Sequence, residues 1–141
     1  MDLTLAIIKP DAVGRSMAGK IISLLEEKGF RARALRMLKL TESQAQEFYA
    51  VHRERPFYGS LVRFMTSGPC IPLVLEREGA VAALREAIGA TDPAEAAPGT
   101  VRAQYAESKE RNAIHASDSG ANAVREIAFF FSAAELLAAA P

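Results

Sequence analysis

The sequence predicts an α+β fold in which a four-stranded antiparallel sheet carries helices on one face. Three observations predict it: apolar runs of strand length at 3–8 and 71–76, helical stripes of apolar residues between and after them, and Gly or Pro breaks at the junctions. The 141 residues match the usual size of one domain, so 1–141 are read as a single core. Hydrophobic residues make up 50% and charged residues 24%, which is enough apolar material to bury a core and argues against disorder.

Residues 3–8, LTLAII, form the first strand, ended by Lys9-Pro10-Asp11, where proline cannot continue a ladder. Met17, Ile21, Leu24 and Leu25 then recur at i, i+4, i+7 and i+8, and Gly29 stands where a helix terminator belongs. Residues 30–40, FRARALRMLKL, alternate apolar and basic, with a slip of phase at Ala34-Leu35 that suits a β-bulge in a second strand. Thr41 and Gln44 have the spacing of a capping box and open a helix whose stripe is Ala45, Phe48 and Tyr49. A further amphipathic segment covers 58–65. Ser67-Gly68-Pro69 breaks the chain before a third strand at 71–76, and Val81, Leu84 and Ile88 mark a helix ending at Gly89. Residues 90–115 contain Pro93, Pro98 and Gly99 without a steady period. A loop of that length usually has a job, so it is expected to line a site. Residues 119–127 are read as helix, and the β-formers of 127–131, IAFFF, as the fourth strand. This order matches a ferredoxin-like split βαβ sheet.

Seventeen Lys plus Arg balance seventeen Asp plus Glu, which removes the basic footprint of a dedicated nucleic-acid or anionic-membrane binder. Any anion site must therefore be local. Cys70 is the single cysteine, so no intrachain disulfide forms and no structural zinc set exists; a reducing compartment, the cytoplasm, is expected. The apolar run Leu3 to Ile8 is too short for a signal or membrane segment, and no membrane association is expected.

The chemistry concentrates at 112–118, NAIHASD, where a histidine stands among an amide, short hydroxyls and a carboxylate at a helix start. A neutral imidazole keeps one free lone pair while its other nitrogen donates a hydrogen bond, and Glu126 is a natural acceptor for that bond. Such a nitrogen can attack a phosphoryl group and hold it covalently, splitting one transfer into two.

Five blocks carry a resemblance along essentially the whole chain: IIKPDAV at 7–13, ERPFYGSLVRFMTSGP at 54–69, GATDPAEAAPGTVRAQY at 89–105, NAIHASDS at 112–119 and REIAFFF at 125–131. Together they resemble the nucleoside diphosphate kinases. The resemblance implies reversible ping-pong transfer of the γ-phosphoryl of a nucleoside triphosphate such as ATP to a nucleoside diphosphate through phospho-His115, with Mg²⁺ on the phosphates. It assigns Lys9, Arg85 and Arg102 to phosphate, Thr91 to a phosphate hydrogen bond, and Asn112 with Lys9 to the ribose hydroxyls. Tyr49 packs near the histidine in that pattern, Glu126 and Ser117 support it, and Phe57 becomes the face on which the base stacks. Stacking reads a π-face rather than a base edge, so broad base specificity follows. Asp118 is assigned to Mg²⁺ through water, since magnesium at such sites is held mainly by substrate phosphates. The family also implies a homo-oligomer, a tetramer or hexamer built from dimers.

Two positions depart from the commonest family pattern: Ala116 stands where glycine is usual, and Lys109 where an aliphatic side chain often faces the base. His52, beside Arg53, is read as a surface residue and Cys70 as buried and inert. Gly14 to Lys20, GRSMAGK, has the spacing of a phosphate-binding P-loop, but Ile21 replaces the required Ser or Thr, so this is set aside as a decoy. The competing reading is a ferredoxin-like nucleotide- or anion-binding regulatory module without catalysis, which would bind nucleotide but never become phosphorylated at His115.

Overall fold

A computed structural model describes residues 2–140. The first strand, β1 (Asp2–Ile8), lies inside the sheet, and its alternating side chains divide two cores. Ala6 and Ile8 point into one hydrophobic cluster, Leu5 and Ile7 into the other. A strand buried on both faces needs apolar residues at nearly every position, which is why LTLAII reads as a continuous run rather than an alternation. Helices therefore cover both faces of the sheet, not one.

The chain leaves β1 through the short helix α1 (Pro10–Gly14), whose first-turn proline has no N–H to leave unsatisfied. It continues into α2 (Ala18–Glu27), which packs Ile21 and Leu25 on the first face. β2 (Arg31–Leu35) follows, with the register shift between Ala32 and Ala34 that the phase slip anticipates. The strand is shorter than the 30–40 expected, and beyond it only a bridge between Leu38 and Cys70 continues the pairing. α3 (Glu42–Phe48) opens with the expected capping box of Thr41 and Gln44, and α4 (Tyr58–Met65) packs beside it on the second face. β3 (Ile71–Arg77) pairs antiparallel with both β1 and β2. α5 (Ala80–Ile88) returns to the first face with Leu84 and Ile88.

Residues 90–115 are more structured than a loop: a 3-10 turn occupies Pro93–Glu95, and α6 (Val101–Tyr105) is capped by the Thr100 hydroxyl on the N–H of Ala103. The fourth strand is β4 (Ile114–Ala116), paired with β1, and not the expected 127–131. Those aromatic residues belong to α7 (Gly120–Phe130) and its C-cap Phe131. Ala123, Ile127 and Phe130 recur at helical spacing and are buried, so packing against the second face overrides local β-preference. A last helix, α8 (Ala133–Ala138), closes the described chain behind a Ser132–Glu135 capping box. The sheet order is β2-β3-β1-β4, all antiparallel, as the ferredoxin-like topology requires.

Candidate active site

In the ladder between β1 and β4, Ile7 pairs with His115. Paired residues share a face, so the imidazole points to the side of α3 and α7. There its Nε2 lies 2.7 Å from Oε1 of Glu126 on α7, and the Ser117 hydroxyl donates to the same oxygen at 2.8 Å. Burial raises the Glu126 pKa, but the hydrogen bond and charge of His115, the Ser117 hydroxyl and Arg125 outweigh it and hold the carboxyl below its ordinary value. An ionised carboxylate only accepts, so Nε2 carries the proton. Nδ1 is left as the basic nitrogen, without a hydrogen-bond partner among the described residues. Burial also lowers the pKa of His115; Glu126 opposes this, while Lys9 and Arg102 add to it. The side chain still keeps 20% of its surface open.

Two rings wall the imidazole. Phe48 meets it edge-on at 5.4 Å between centroids and Tyr49 at 6.1 Å. The Tyr49 hydroxyl is buried without a partner, and burial drives its pKa far above the usual phenol value, so it stays protonated and acts by packing. Phe48 was not among the expected site residues, because its place in an apolar stripe reads as core.

Two guanidinium groups are pinned to the backbone on either side of His115. Arg102 donates to the Ile114 carbonyl at 2.8 Å and to the Gly89 carbonyl at 3.0 Å, and Arg85 donates to the Ala116 carbonyl at 3.3 Å. Each guanidinium has five N–H donors, so both keep donors for a ligand, and the buried Nε of Arg102 has no partner at all. Arg85, Thr91 and Arg102 line one groove of about 530 Å³ together with Gly89 and Thr100. Gly89 has φ +88°, and a Cβ there would lie 2.6 Å from the Thr100 hydroxyl, so this wall requires glycine.

Lys9, at the end of β1, is buried and donates from Nζ to Asn112 Oδ1 at 2.9 Å; Asn112 in turn donates to the Thr91 carbonyl at 3.3 Å. Burial, helped by Arg102, pushes the Lys9 ammonium down to about 8 against the pull of Asp11 and Glu110. Phe57 caps the start of α4 and is 47% exposed, an open aromatic face. His52 is half-buried rather than a free surface residue, with its ring 6.5 Å from Tyr49 and 5.5 Å from Phe57.

Asp118 is exposed ahead of α7 and accepts from Asn122 at 2.6 Å, which keeps it ionised below the usual carboxylate range. Among the described residues no group of three or more His, Cys, Asp or Glu is placed to hold a metal. Arg85 acts on Asp118, and Lys9 and Arg102 act on His115, a setting that suits a divalent ion arriving on substrate phosphates. Burial pushes the Cys70 thiol up to about 11, consistent with an inert core residue. Lys20 is exposed and lines a groove with Lys28, Gln104 and Tyr105 that shares no residue with the histidine site.

Ala116 lies outside the left-handed region, so its Cβ costs nothing in torsion; the constrained residue near the histidine is Ala113, at φ +74°. The buried carboxylate of Asp11 accepts its N–H. In the sequence Asp11 stands out only as part of the Lys9-Pro10-Asp11 break that ends the first strand.

The family model described as nucleoside diphosphate kinase matches residues 2–136. The chain is 58% identical over 137 residues to the nucleoside diphosphate kinase of Chlorobium chlorochromatii, covering 97% of this chain and 98% of that one. It is 56% identical, with the same coverage, to that of Chlorobium limicola. Among solved structures, that of the Aquifex aeolicus nucleoside diphosphate kinase superposes with a TM-score of 0.93 at 50% identity, covering 95% of this chain and 97% of that one. A Halobacterium salinarum nucleoside diphosphate kinase in complex with CDP superposes with a TM-score of 0.91 at 40% identity, covering 95% and 90%.

Proposed function

The chain belongs to the nucleoside diphosphate kinase family and is a phosphotransferase acting on nucleotides, and from that premise we propose that His115 is the group that carries the phosphoryl between them. The observation that carries this reading is the fixed tautomer: Glu126, itself braced by the Ser117 hydroxyl, holds Nε2–H, which leaves the Nδ1 lone pair for attack. Nδ1 attacks the γ-phosphorus of a nucleoside triphosphate, a P–N bond forms, and the bond to the β,γ-bridging oxygen breaks with its electron pair leaving on the diphosphate. The ring gains positive character in this step, and the Glu126 carboxylate, already 2.7 Å from Nε2, stabilises it without moving. A terminal oxygen of an incoming diphosphate then attacks the same phosphorus and the P–N bond breaks, which regenerates the imidazole.

Charge in the loose transition state spreads over the equatorial oxygens, so positioned cations supply most of the stabilisation. Arg85 and Arg102, anchored to the carbonyls flanking His115, serve that role, with Lys9 and the Thr91 hydroxyl beside them. Asn112, oriented by Lys9, takes the ribose hydroxyls, and the base lies on Phe57. The CDP found in the Halobacterium salinarum relative fits a diphosphate acceptor here as well. When bound, Mg²⁺ would neutralise part of the charge on the phosphates that carry it, and Asp118 is the residue of this chain that would hold it, through water.

The reading also holds 1–141 to be one catalytic domain and the active form to be a homo-oligomer built from dimers. In support, β2 is an edge strand of the sheet and exposes Leu35 and, just past its end, Met37, at 51% and 59%. No described helix is long and apolar enough to cross a membrane, and the lone buried thiol fits the cytoplasm.

Incubation with ATP and Mg²⁺ tests this function directly. An acid-labile, alkali-stable phosphorylated protein is expected, dischargeable by purine and pyrimidine diphosphates alike, with parallel lines in double-reciprocal plots. Saturable nucleotide binding without labelling would instead identify the non-catalytic module.

The pH profile follows from the two perturbed groups. A proton on Nδ1 blocks attack, and because the imidazole pKa is lowered, kcat/KM is expected to stay level on the acid side of neutrality until below the ordinary histidine value of about 6.5. Lys9 must be charged to meet phosphate, so kcat/KM is expected to decline as the pH rises through about 8. Lys9→Arg is expected to remove that alkaline limb in a profile of kcat/KM against pH, and persistence of the limb at the same pH would assign it to another group.

A further inference from the structure

We propose that Asp11 is a positioning residue for phosphoryl transfer, its buried carboxylate clamping the left-handed peptide of Ala113 so that Asn112 and His115 meet the nucleotide together. The proposal rests on His115 being the phosphoryl carrier. Three observations support it. Ala113 has φ +74°, a backbone conformation in which an L residue with a Cβ is strained, yet the sequence has no glycine there. That peptide is held from both sides: Asp11 Oδ2 accepts the Ala113 N–H at 3.1 Å, and the Lys9 N–H donates to the Ala113 carbonyl at 2.9 Å. Asp11 itself is only 3% exposed, its other carboxylate oxygen has no partner, and Arg15 stands 3.8 Å away as its nearest cation. A buried carboxylate with so little compensation carries a desolvation cost that a surface turn does not need.

The consequence lies in what the clamped residue separates. Asn112, on one side, is held by Lys9; Ile114, on the other, enters the ladder that sets His115 opposite Ile7. If Ala113 relaxes to negative φ, the two side chains no longer keep their mutual orientation, and misplacement of about 1 Å in a reacting group costs on the order of 10²-fold in rate.

An alternative role for Asp11 is to provide negative charge at the N-terminus of α1, where it stands in the first turn. A double-mutant cycle separates the two, because a glycine at 113 adopts positive φ freely but does nothing for a helix terminus. The readout is the single-turnover rate of phospho-His115 formation from ATP, with folding followed by circular dichroism. Asp11→Ala is expected to slow labelling about 100-fold in the otherwise native chain, and less than about 10-fold in the Ala113→Gly background. Losses of equal size in both backgrounds, or no loss in either, would overturn the proposal. Should Asp11→Ala alone fail to fold, the comparison runs between Asp11→Ala/Ala113→Gly and Ala113→Gly. Both are expected to fold and to agree within about 10-fold; a double variant that stays unfolded or is about 100-fold slower contradicts the clamp. Failure of the carrier reading is distinguishable, since the native chain would then take up no label at all.

Discussion

Replacement of His115 by glutamine is expected to lower nucleoside diphosphate kinase turnover by on the order of 10⁵-fold or more, with nucleotide affinity nearly kept. Glutamine can still donate toward Glu126, so the Glu126 and Ser117 network, the Arg102 bond to Ile114 and the Arg85 bond to Ala116 all have reason to survive. What glutamine cannot provide is a basic nitrogen lone pair, and without it the covalent route has no first step. Binding and chemistry should therefore separate cleanly in the same preparation: a dissociation constant within a few-fold of the native one beside a near-complete loss of exchange between ATP and an added diphosphate. Substantial residual turnover would mean direct transfer between two bound nucleotides and would remove the imidazole from the reaction.

Arg102→Ala is expected to be the next most damaging change, lowering kcat/KM by roughly 10² to 10³-fold, the usual cost of removing one fixed donor of transition-state charge. Its geometry gives a second signature. Arg102 is buried and satisfies the carbonyls of Ile114 and Gly89, so truncation leaves both unpaired at a cost of about 1 to 3 kcal/mol each. A lowered melting temperature should accompany the kinetic loss. Arg85, which is exposed and makes one bond at 3.3 Å, should give a comparable kinetic effect with much less destabilisation when changed to alanine. Arg102→Lys keeps the charge but not the fork that reaches two carbonyls, and should fall between native and alanine in both measurements. Steady-state kinetics paired with thermal unfolding of these variants checks the assignment; a lysine variant as inactive as alanine would show that bracing, rather than charge on the phosphate, is what Arg102 contributes.

Much of this was readable in the chain before any coordinates. The apolar run at 3–8, the capping box at Thr41 and Gln44, the phase slip and the stripe ending at Gly89 each reflect one local physical rule; the slip, expected at Ala34-Leu35, falls slightly earlier, between Ala32 and Ala34. The fourth strand was misplaced for an equally physical reason. IAFFF is rich in β-formers, but Ile127 and Phe130 lie one turn apart and complete a face begun at Ala123, whereas Ile114–Ala116 is too short to show any alternation. The two-sided cover of the sheet was hidden in the same way. A run buried on both faces and one buried on a single face differ only in the residues between, and helices from distant parts of the chain decide which applies.

At the site, most residue identities come from five sequence blocks, with Arg85 and Tyr49 outside them, and the pairing of His115 with Glu126 is expected from the chemistry, while the remaining contacts come from the fold. Lys9 and Asn112 are far apart in sequence; the resemblance assigns both to the ribose hydroxyls, but only the fold shows the 2.9 Å hydrogen bond between them. Asp11 and Ala113 form a second such pair. Alanine at positive φ carries no compositional mark, as a glycine would, so the strain and the carboxylate that answers it are visible only together. The backbone constraint near the histidine sits at Ala113, two residues before it, and not at Ala116, the departure visible in the sequence, which lies within β4.

Mass-spectrometric localisation after brief exposure to ATP and Mg²⁺, with the digest kept alkaline so that a phosphoramidate survives, tests the covalent carrier most directly. A single phosphoryl on His115 that disappears when a nucleoside diphosphate is added, and reappears as its triphosphate, is the expected result. A phosphoryl on any other residue, or none on a preparation that turns over normally, would contradict it.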